Sequence, residues 1–252
     1  YIHNPAPNLS TAENFLRLIR SDKSYTRLEA EILDLALVLH ADHGGGNNST
    51  LTVHVVSSAD TDTYSAIAAA VGSLKGRRHG GANIRVMEMM ADIKANVKDW
   101  SNENEVRAYL EKIARKEAFD RTGLIYGQGH AVYTITDPRC ILLRDKAESL
   151  AKEKGCMEEF NLYKLIEKIA PEVLIDLHGD KKRICANVDF YSGFIYQMLN
   201  IPEELYTPIF AMARIVGWCA HRIEEIIYDG KIIRPAYKSV CKSDSYIPLS
   251  ER

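Results

Sequence analysis

Four short polar clusters interrupt an otherwise apolar, helix-like sequence: LHADHGGGNNST (39–50), SLKGRRHGGAN (73–83), YGQGHAVYTITDPR (126–139) and ANVDFYSG (186–193). The side chains in them that could do chemistry are His43, His79, His130, Arg139 and Asp189. A desolvated aspartate can remove a proton α to a carbonyl. A histidine can donate to the enolate oxygen that develops, and an arginine binds a carboxylate through two parallel hydrogen bonds. Together these residue types predict carbanion or enol chemistry on a carboxylated substrate.

Each cluster also has a simpler explanation. A single histidine is more often structural than catalytic, and Asp189 could merely cap the helix that follows it. The pair His40-x-x-His43 offers half of a metal site, but no third clustered ligand accompanies it, so we predict no metal. Gly127 and Gly129 lack the third glycine and the preceding strand of a dinucleotide-binding fingerprint.

The composition is that of an ordinary globular chain and excludes several function classes. Of its 252 residues, 46% are hydrophobic and 26% are charged. A formal net charge of −2 gives no electrostatic basis for binding nucleic acid or an anionic membrane. No apolar run reaches the roughly 18–20 residues of a membrane span. Five cysteines without a CxxC pair indicate a reducing compartment, the cytoplasm, rather than a disulfide framework.

Helical signals dominate the elements that must position these clusters. Ser10 and Glu13 form a capping box, Asp60 or Asp62 can cap the next small-residue helix, and Gly155 stands at a helix stop. Apolar residues at helical spacing predict helices at about 28–40, 63–76, 83–97, 103–119, 139–154, 159–169, 188–199 and 203–228. The one fair strand candidate is KIIRPAY (231–237), which is short. The predicted class is all-α.

Six motifs in the same order make the chain resemble the citrate synthase family: LHADHGGGNNST, LKGRRHGGAN, GQGHAVYTITDPR, NVDFYSG, YTPIFAMARIVGWCAH and RPAY. The resemblance runs from about residue 8 to the end and corresponds to the C-terminal two-thirds of a family member. It implies a multihelical homodimer with a large and a small domain, without the N-terminal part of the large domain. Residues 1–81 and 193–252 would then belong to the large domain and residues 82–192 to the small domain.

The resemblance also implies a role for each site residue. His79 would hydrogen-bond the thioester carbonyl of acetyl-CoA, Asp189 would remove the methyl proton, and His130 would polarise the ketone of oxaloacetate. The residues that would hold oxaloacetate and citrate are His43, Asn47, Arg139, Phe210 and Arg214, together with Arg234 reaching in from the neighbouring subunit. The backbone that would cradle coenzyme A comprises Leu124, Ile125, Gly127, Gln128 and Gly129.

The implied function is that of a tricarboxylic acid cycle transferase. It condenses acetyl-CoA with oxaloacetate through an enol intermediate and hydrolyses citryl-CoA, without a metal or redox cofactor. Two alternatives within the family are a 2-methylcitrate synthase that uses propionyl-CoA and an inactive helical fragment that serves only as a binding or dimerisation module. A metal hydrolase built on His40 and His43 is a more distant alternative.

Overall fold

The computed structural model describes residues 2–129, 133, 135–179, 184–228, 230–236, 238, 240 and 246–251. Ten α-helices make up the fold in this part of the chain, which confirms the predicted all-α class. They are α1 (Thr11–Ile19), α2 (Arg27–His40), α3 (Asn48–Ser57), α4 (Thr63–Leu74), α5 (Ala82–Asn96), α6 (Glu103–Ala114), α7 (Pro138–Lys154), α8 (Met157–His178), α9 (Val188–Met198) and α10 (Tyr206–Ile227).

Local capping chemistry sets several helix ends where the sequence predicts them. The Ser10 hydroxyl accepts from the Glu13 amide and the Glu13 carboxylate accepts from the Ser10 amide, which completes the capping box of α1. Asp62, rather than Asp60, caps α4 by accepting from the amide of Ser65. Gly155 ends α7 in the left-handed conformation, with φ of 72°.

Several elements differ from the sequence prediction, among them α8, which runs from Met157 to His178 instead of from 159 to 169. Helix α3 was not predicted, because its buried face carries Ser49, Thr50 and Ser57 beside a single valine and so lacks an apolar stripe. Helix α6 ends at Ala114 instead of residue 119, and residues 203–205 form a 3₁₀ turn ahead of α10. The described residues of KIIRPAY pair with no strand, so that the strand prediction is wrong for them.

The helices pack in two groups. Helix α10 packs on α2, α3 and α4, while α5 and α7 pack on α9 and α6 packs on α8. Helix α2 contacts α7 and joins the two groups, and one apolar cluster extends from Leu16 in α1 to Ala213 in α10. A second, smaller apolar cluster lies between α3, α4 and α10; it consists of Val53, Ala70, Leu74, Phe210 and Trp218. The proposed domain limits at residues 82 and 192 stay a prediction.

Part of α10 leaves the core and exposes apolar side chains. Val216, Ile223, Ile226 and Ile227 are each more than half exposed. An apolar patch of this kind is typical of a surface that meets another protein. No helix in the described ranges has the length and apolarity needed to cross a membrane.

Candidate active site

Arg214 lies at the centre of the candidate site. It is 1% exposed on α10, where its Nε donates to the His40 carbonyl oxygen at 2.6 Å. Its Nη1 and Nη2 have no hydrogen-bond partner among the described residues. Burial, followed by the nearby Arg139, lowers the pKa of Arg214 to about 10, so that it stays charged at neutral pH. Asp42 and Asp189 attract this cation, but neither bonds its Nη atoms. Buried donors without partners are costly, and they therefore mark a place for an anionic ligand.

The walls around this guanidinium come from His40 and Phe210. The Arg214 Cζ lies 4.8 Å from the centroid of the Phe210 ring, and that ring lies 4.3 Å from the His40 ring. Both ring nitrogens of His40 are buried without a hydrogen-bond partner among the described residues. Burial, with added repulsion from Arg214 and Arg139, lowers the pKa of His40 to about 3, which keeps the ring neutral. His40, which the sequence indicated only as half of a metal site, thus positions Arg214 through its carbonyl.

Arg139 supplies a second cation at the start of α7. Its Nε and Nη2 donate to the two carboxylate oxygens of Asp137 at 3.0 and 2.8 Å. Asp137 also caps α7, and its side chain is fully buried. Burial lowers the pKa of Arg139, but the bond to Asp137 outweighs it and the net direction is upward. Sequence reasoning missed Asp137, although its N-cap place in the DPR motif was a usable signal.

Asp189 carries the carboxylate that could act as a base. Asn187 caps α9 by accepting from the amide of Asp189, so the Asp189 side chain is not used as a cap. Burial raises the pKa of Asp189 to about 6, and the opposing attraction of Arg139 and Arg214 is smaller. A carboxylate in this range is largely ionised at pH 7 and still a useful proton acceptor.

His79 is held as a neutral donor. Its Nε2 lies 2.9 Å from the hydroxyl of Ser49 and 3.4 Å from the Ser49 amide nitrogen. Because an amide N–H can only donate, Nε2 is the acceptor and the ring proton lies on Nδ1. Burial, then repulsion from Arg214, lowers the pKa of His79, which favours this neutral form. The buried Trp218 fixes Ser49 in turn, since its Nε1 donates to the hydroxyl at 3.2 Å.

The loop between α2 and α3 brings His43 and Asn47 beside this network. Asn47 caps α3, and its Oδ1 lies 2.9 Å from the hydroxyl of Ser49. The carbonyl of His43 accepts from His221 Nε2 at 2.9 Å. Asn47 therefore supports the element that positions Ser49, and its contact with substrate stays a prediction.

The predicted coenzyme A loop is fixed to the start of α9. Asn187 donates from its amide nitrogen to the Gly127 carbonyl and from Nδ2 to the Gly129 carbonyl, both at 2.9 Å. Gly127 has φ of 78°, and a Cβ there would lie 2.7 Å from the Phe190 ring, so only glycine fits. The side-chain amide of Gln128 is buried without a partner among the described residues. Leu124 is exposed and Ile125 buried, the latter as part of the core.

Two predicted site residues are not placed in this cluster. His130 lies outside the described residues. Arg234 is exposed in the segment that follows α10, next to Ile233, whose amide donates to the Ser58 hydroxyl at 3.0 Å. The structure thus brings together two arginines, a carboxylate and a neutral histidine, and the pKa of each is altered by at least one of the others: Arg139, Arg214, Asp189 and His79.

Known proteins share this arrangement of sequence and fold. The family model described as "Citrate synthase, C-terminal domain" matches residues 1–236. A citrate synthase of Synechocystis is 40% identical over 98% of this chain, which covers 58% of that protein. A 2-methylcitrate synthase of Shewanella oneidensis is 35% identical over 95% of this chain and 58% of its own length. The citrate synthase of Thermoplasma acidophilum, solved as a ternary complex with carboxymethyl coenzyme A and oxaloacetate, is 30% identical over 98% of this chain and 61% of that one, with a TM-score of 0.77.

The chain spans about three-fifths of the length of these proteins. The family model covers nearly all of the chain. The chain belongs to the citrate synthase family.

Proposed function

We propose that this chain carries the catalytic residues of a citrate synthase, which condenses acetyl-CoA with oxaloacetate and hydrolyses the resulting citryl-CoA. The observation that carries the proposal is the buried Arg214 guanidinium, whose two Nη atoms lack partners beside a carboxylate of raised pKa. An anionic substrate would neutralise this charge and would lie within reach of the base. The solved ternary complex of a family member supports the choice of ligands.

Oxaloacetate would be bound through its two carboxylates. Arg214 offers two unpartnered donors, and Arg139 holds a fixed positive charge through Asp137. His43 stays the predicted third contact, and His130 stays the predicted donor to the ketone oxygen.

The condensation needs a base and an acid at the acetyl group. Asp189 would take a proton from the methyl carbon while Nδ1–H of His79 donates to the thioester oxygen, which gives the enol. The enol carbon then attacks the ketone carbon of oxaloacetate, and water cleaves the citryl thioester to release citrate and coenzyme A. By analogy with oxyanion-hole deletions, one such donor lowers the barrier by about 3–4 kcal/mol.

The finer features of the proposal rest on the family resemblance. Coenzyme A would lie along residues 124–129, where the side-chain amide of Gln128, which has no partner among the described residues, would hydrogen-bond to it. The enzyme would work in the cytoplasm as a homodimer, with Arg234 reaching the neighbouring site. The reaction proposed needs no metal or redox cofactor.

A second candidate is 2-methylcitrate synthesis from propionyl-CoA, because one relative carries that name at 35% identity. The two acyl groups differ by one methylene, which hydrophobic pockets discriminate by only about 1–3 kcal/mol. The ratio of kcat/KM for the two thioesters decides between the candidates.

The first test is thiol release from acetyl-CoA by the purified chain, with and without oxaloacetate. We expect release that requires both substrates and stops in Asp189→Asn. A matched binding test uses thermal unfolding, where oxaloacetate should stabilise the chain and a monocarboxylate such as pyruvate should not. Absence of both effects would contradict the proposal.

A further inference from the structure

Two histidines that play no part in the proposed reaction face each other behind the glycine-rich loop. His54 lies on α3 and His221 on α10, 167 residues apart, and neither was singled out by the sequence analysis. The Nε2 of His54 lies 3.2 Å from the Nδ1 of His221, and the rings meet edge to face with centroids 5.1 Å apart. Both side chains are less than one-fifth exposed.

The outer nitrogens of both rings are occupied by acceptors. Nδ1 of His54 lies 2.7 Å from a carboxylate oxygen of Glu225. Nε2 of His221 lies 2.9 Å from the carbonyl oxygen of His43 and 3.1 Å from a carboxylate oxygen of Asp42. A carbonyl and an ionised carboxylate only accept, so both outer nitrogens must carry the proton.

This assignment leaves two bare lone pairs facing each other. In the neutral rings, Nε2 of His54 and Nδ1 of His221 are then both acceptors at 3.2 Å. Two acceptors in such a contact repel unless a proton or a metal ion lies between them. The pattern is also the one found around metal-bound histidines, where the second ring nitrogen donates to a carboxylate or a backbone carbonyl.

A third ligand completes the set. Glu224 lies three residues after His221 on α10, and its Oε2 is 3.7 Å from Nδ1 of His221. The three ligand atoms all lie within 4.8 Å of one another. For metal–ligand bonds of about 2.0–2.1 Å in a tetrahedron, ligand atoms stand roughly 3.3–3.4 Å apart, close to the nitrogen separation here. We propose that His54, His221 and Glu224 bind a divalent transition-metal ion of the zinc type, with water as a fourth ligand.

The proposed metal site is accessible and linked to the loop that carries His43. A surface cavity of about 570 Å³ is lined by His221, Glu224 and Asp42, which gives the ion an entry path. A Cβ on Gly45 would lie 3.6 Å from Nε2 of His54, so the glycine loop rests on the same ring. A bound ion would therefore fasten α3 and α10 together beneath this loop and stabilise the folded state.

The test is metal binding by the folded chain after treatment with chelator. Titration with Zn²⁺ in a calorimeter should show one equivalent bound and a higher melting temperature. Co²⁺ should give the visible absorption bands of a tetrahedral site. Binding should fall at least tenfold in His54→Gln and His221→Gln, as expected for the loss of a ligand. Glu225→Ala, which removes the hydrogen-bond partner of the His54 ligand, should weaken binding by about 10–100-fold.

Controls separate this site from metal binding elsewhere. His3→Gln removes a histidine that bonds the Arg20 carbonyl, distant in sequence from the cluster, and should leave Zn²⁺ binding unchanged. Glu224→Gln changes a side chain that is 56% exposed, so this variant should fold normally and bind more weakly. Circular dichroism without metal verifies the fold of each variant. No Zn²⁺ binding by the folded parent chain, or undiminished binding in the two histidine variants, would overturn the proposal.

Discussion

Two charged groups at the candidate site, one of them fully buried, lie in environments that disfavour their charge. Asp189 is ionised at neutral pH although burial raises its pKa to about 6, and Arg214 keeps a charge that no described residue satisfies at its Nη atoms. Charged groups in an unfavourable environment are typical of binding and catalytic sites, because the bound ligand supplies the opposite charge or the hydrogen bonds that the protein lacks. At the scale of single residues, this is the strongest physical support for the proposed function.

Asp189→Asn should stabilise the protein while it abolishes turnover. The folded pKa of about 6 exceeds the ordinary value of 3.8, so the folded state resists ionisation of this carboxyl. The variant should therefore gain up to about 3 kcal/mol over the parent above pH 6, and the gain should vanish below about pH 4. Chemical denaturation of both proteins at pH 4 and pH 7.5 measures this difference.

The same pKa predicts a pH profile. Activity of the parent chain should fall as the pH drops through 6, because the base becomes protonated. Two results would rule out the role of Asp189 as the base. One is a stability gain of Asp189→Asn that is equal at pH 4 and pH 7.5, and the other is strong condensation activity in this variant.

Two arginines on α10 offer a matched comparison. Arg214 has two unpartnered donors, whereas Arg222 donates to the Ser57 hydroxyl, the Thr61 carbonyl and the Thr63 hydroxyl. Arg214→Met should change the free energy of unfolding by less than about 1 kcal/mol, because relief from burying a cation offsets the lost bond to the His40 carbonyl. Arg222→Met should cost about 1–3 kcal/mol, because it removes three hydrogen bonds and leaves the buried Ser57 hydroxyl without this donor.

Ligand response should follow the opposite order in these two variants. Saturating oxaloacetate should stabilise the parent and Arg222→Met by about 2.7 kcal/mol at one hundred times the dissociation constant. Arg214→Met should show almost none of this stabilisation. Equal protection of both variants in thermal unfolding would contradict the binding role of Arg214.

At the scale of elements, the fold depends on a close approach between α10 and the end of α2. The amide of Gly217 donates to the carbonyl of Ala41 at 3.0 Å, outside the regular helix pattern. A Cβ at residue 217 would lie 2.3 Å from that carbonyl oxygen. The glycine therefore lets α10 reach the loop that carries His43 and places Arg214, one turn earlier, under His40.

Gly217→Ala should destabilise the protein and weaken oxaloacetate binding together. The added methyl must push Ala41 away, and such overpacking typically costs about 1–3 kcal/mol. Gly72→Ala on α4 is the control: nothing lies within 4 Å of its Cβ position, so it should stabilise by about 0.5–1 kcal/mol and leave binding unchanged. Normal oxaloacetate affinity in Gly217→Ala would show that the contact between Gly217 and Ala41 does not position the binding site.

At the scale of the whole molecule, the proposed homodimer predicts that the exposed apolar face of α10 and the exposed Arg234 meet a second copy. Four α10 side chains, among them Ile223 and Ile227, are more than half exposed. Arg234 follows that helix in the chain and is also exposed. Burial of the apolar face would drive association, and the arginine would then lie at the interface.

Complementation tests whether Arg234 acts across subunits. Arg234→Ala and Asp189→Asn should each be inactive alone. Each site of the proposed dimer would combine Asp189 of one subunit with Arg234 of the other. In a mixed dimer, one of the two sites therefore contains both native residues, and the other site contains neither. Equal coexpression should therefore restore about a quarter of the parent activity, given random pairing of subunits. Activity that stays near zero in the verified mixed dimer would place Arg234 within its own subunit's site.

The sequence by itself determined the helical class, most helix positions and the kind of chemistry. Capping residues and apolar spacing act over a few residues, so Ser10 with Glu13 and Gly155 could be assigned without a fold, whereas the choice of Asp62 over Asp60 came from the structure. Helix α3 was not predicted, because its buried face consists of serine and threonine beside one valine and carries no apolar period. The glycine-bounded histidines and the aspartate indicated enol chemistry from residue type alone.

Only the tertiary structure decided which of these groups have altered pKa values and which donors lack partners. The bond between Arg214 and the His40 carbonyl joins residues 174 apart, and the proposed metal ligands His54 and His221 are 167 apart. Burial and charge neighbours, which no local pattern encodes, raise the pKa of Asp189 and keep His79 neutral. Spacing along the chain specifies helices, whereas desolvation and pairing arise only when distant helices pack together.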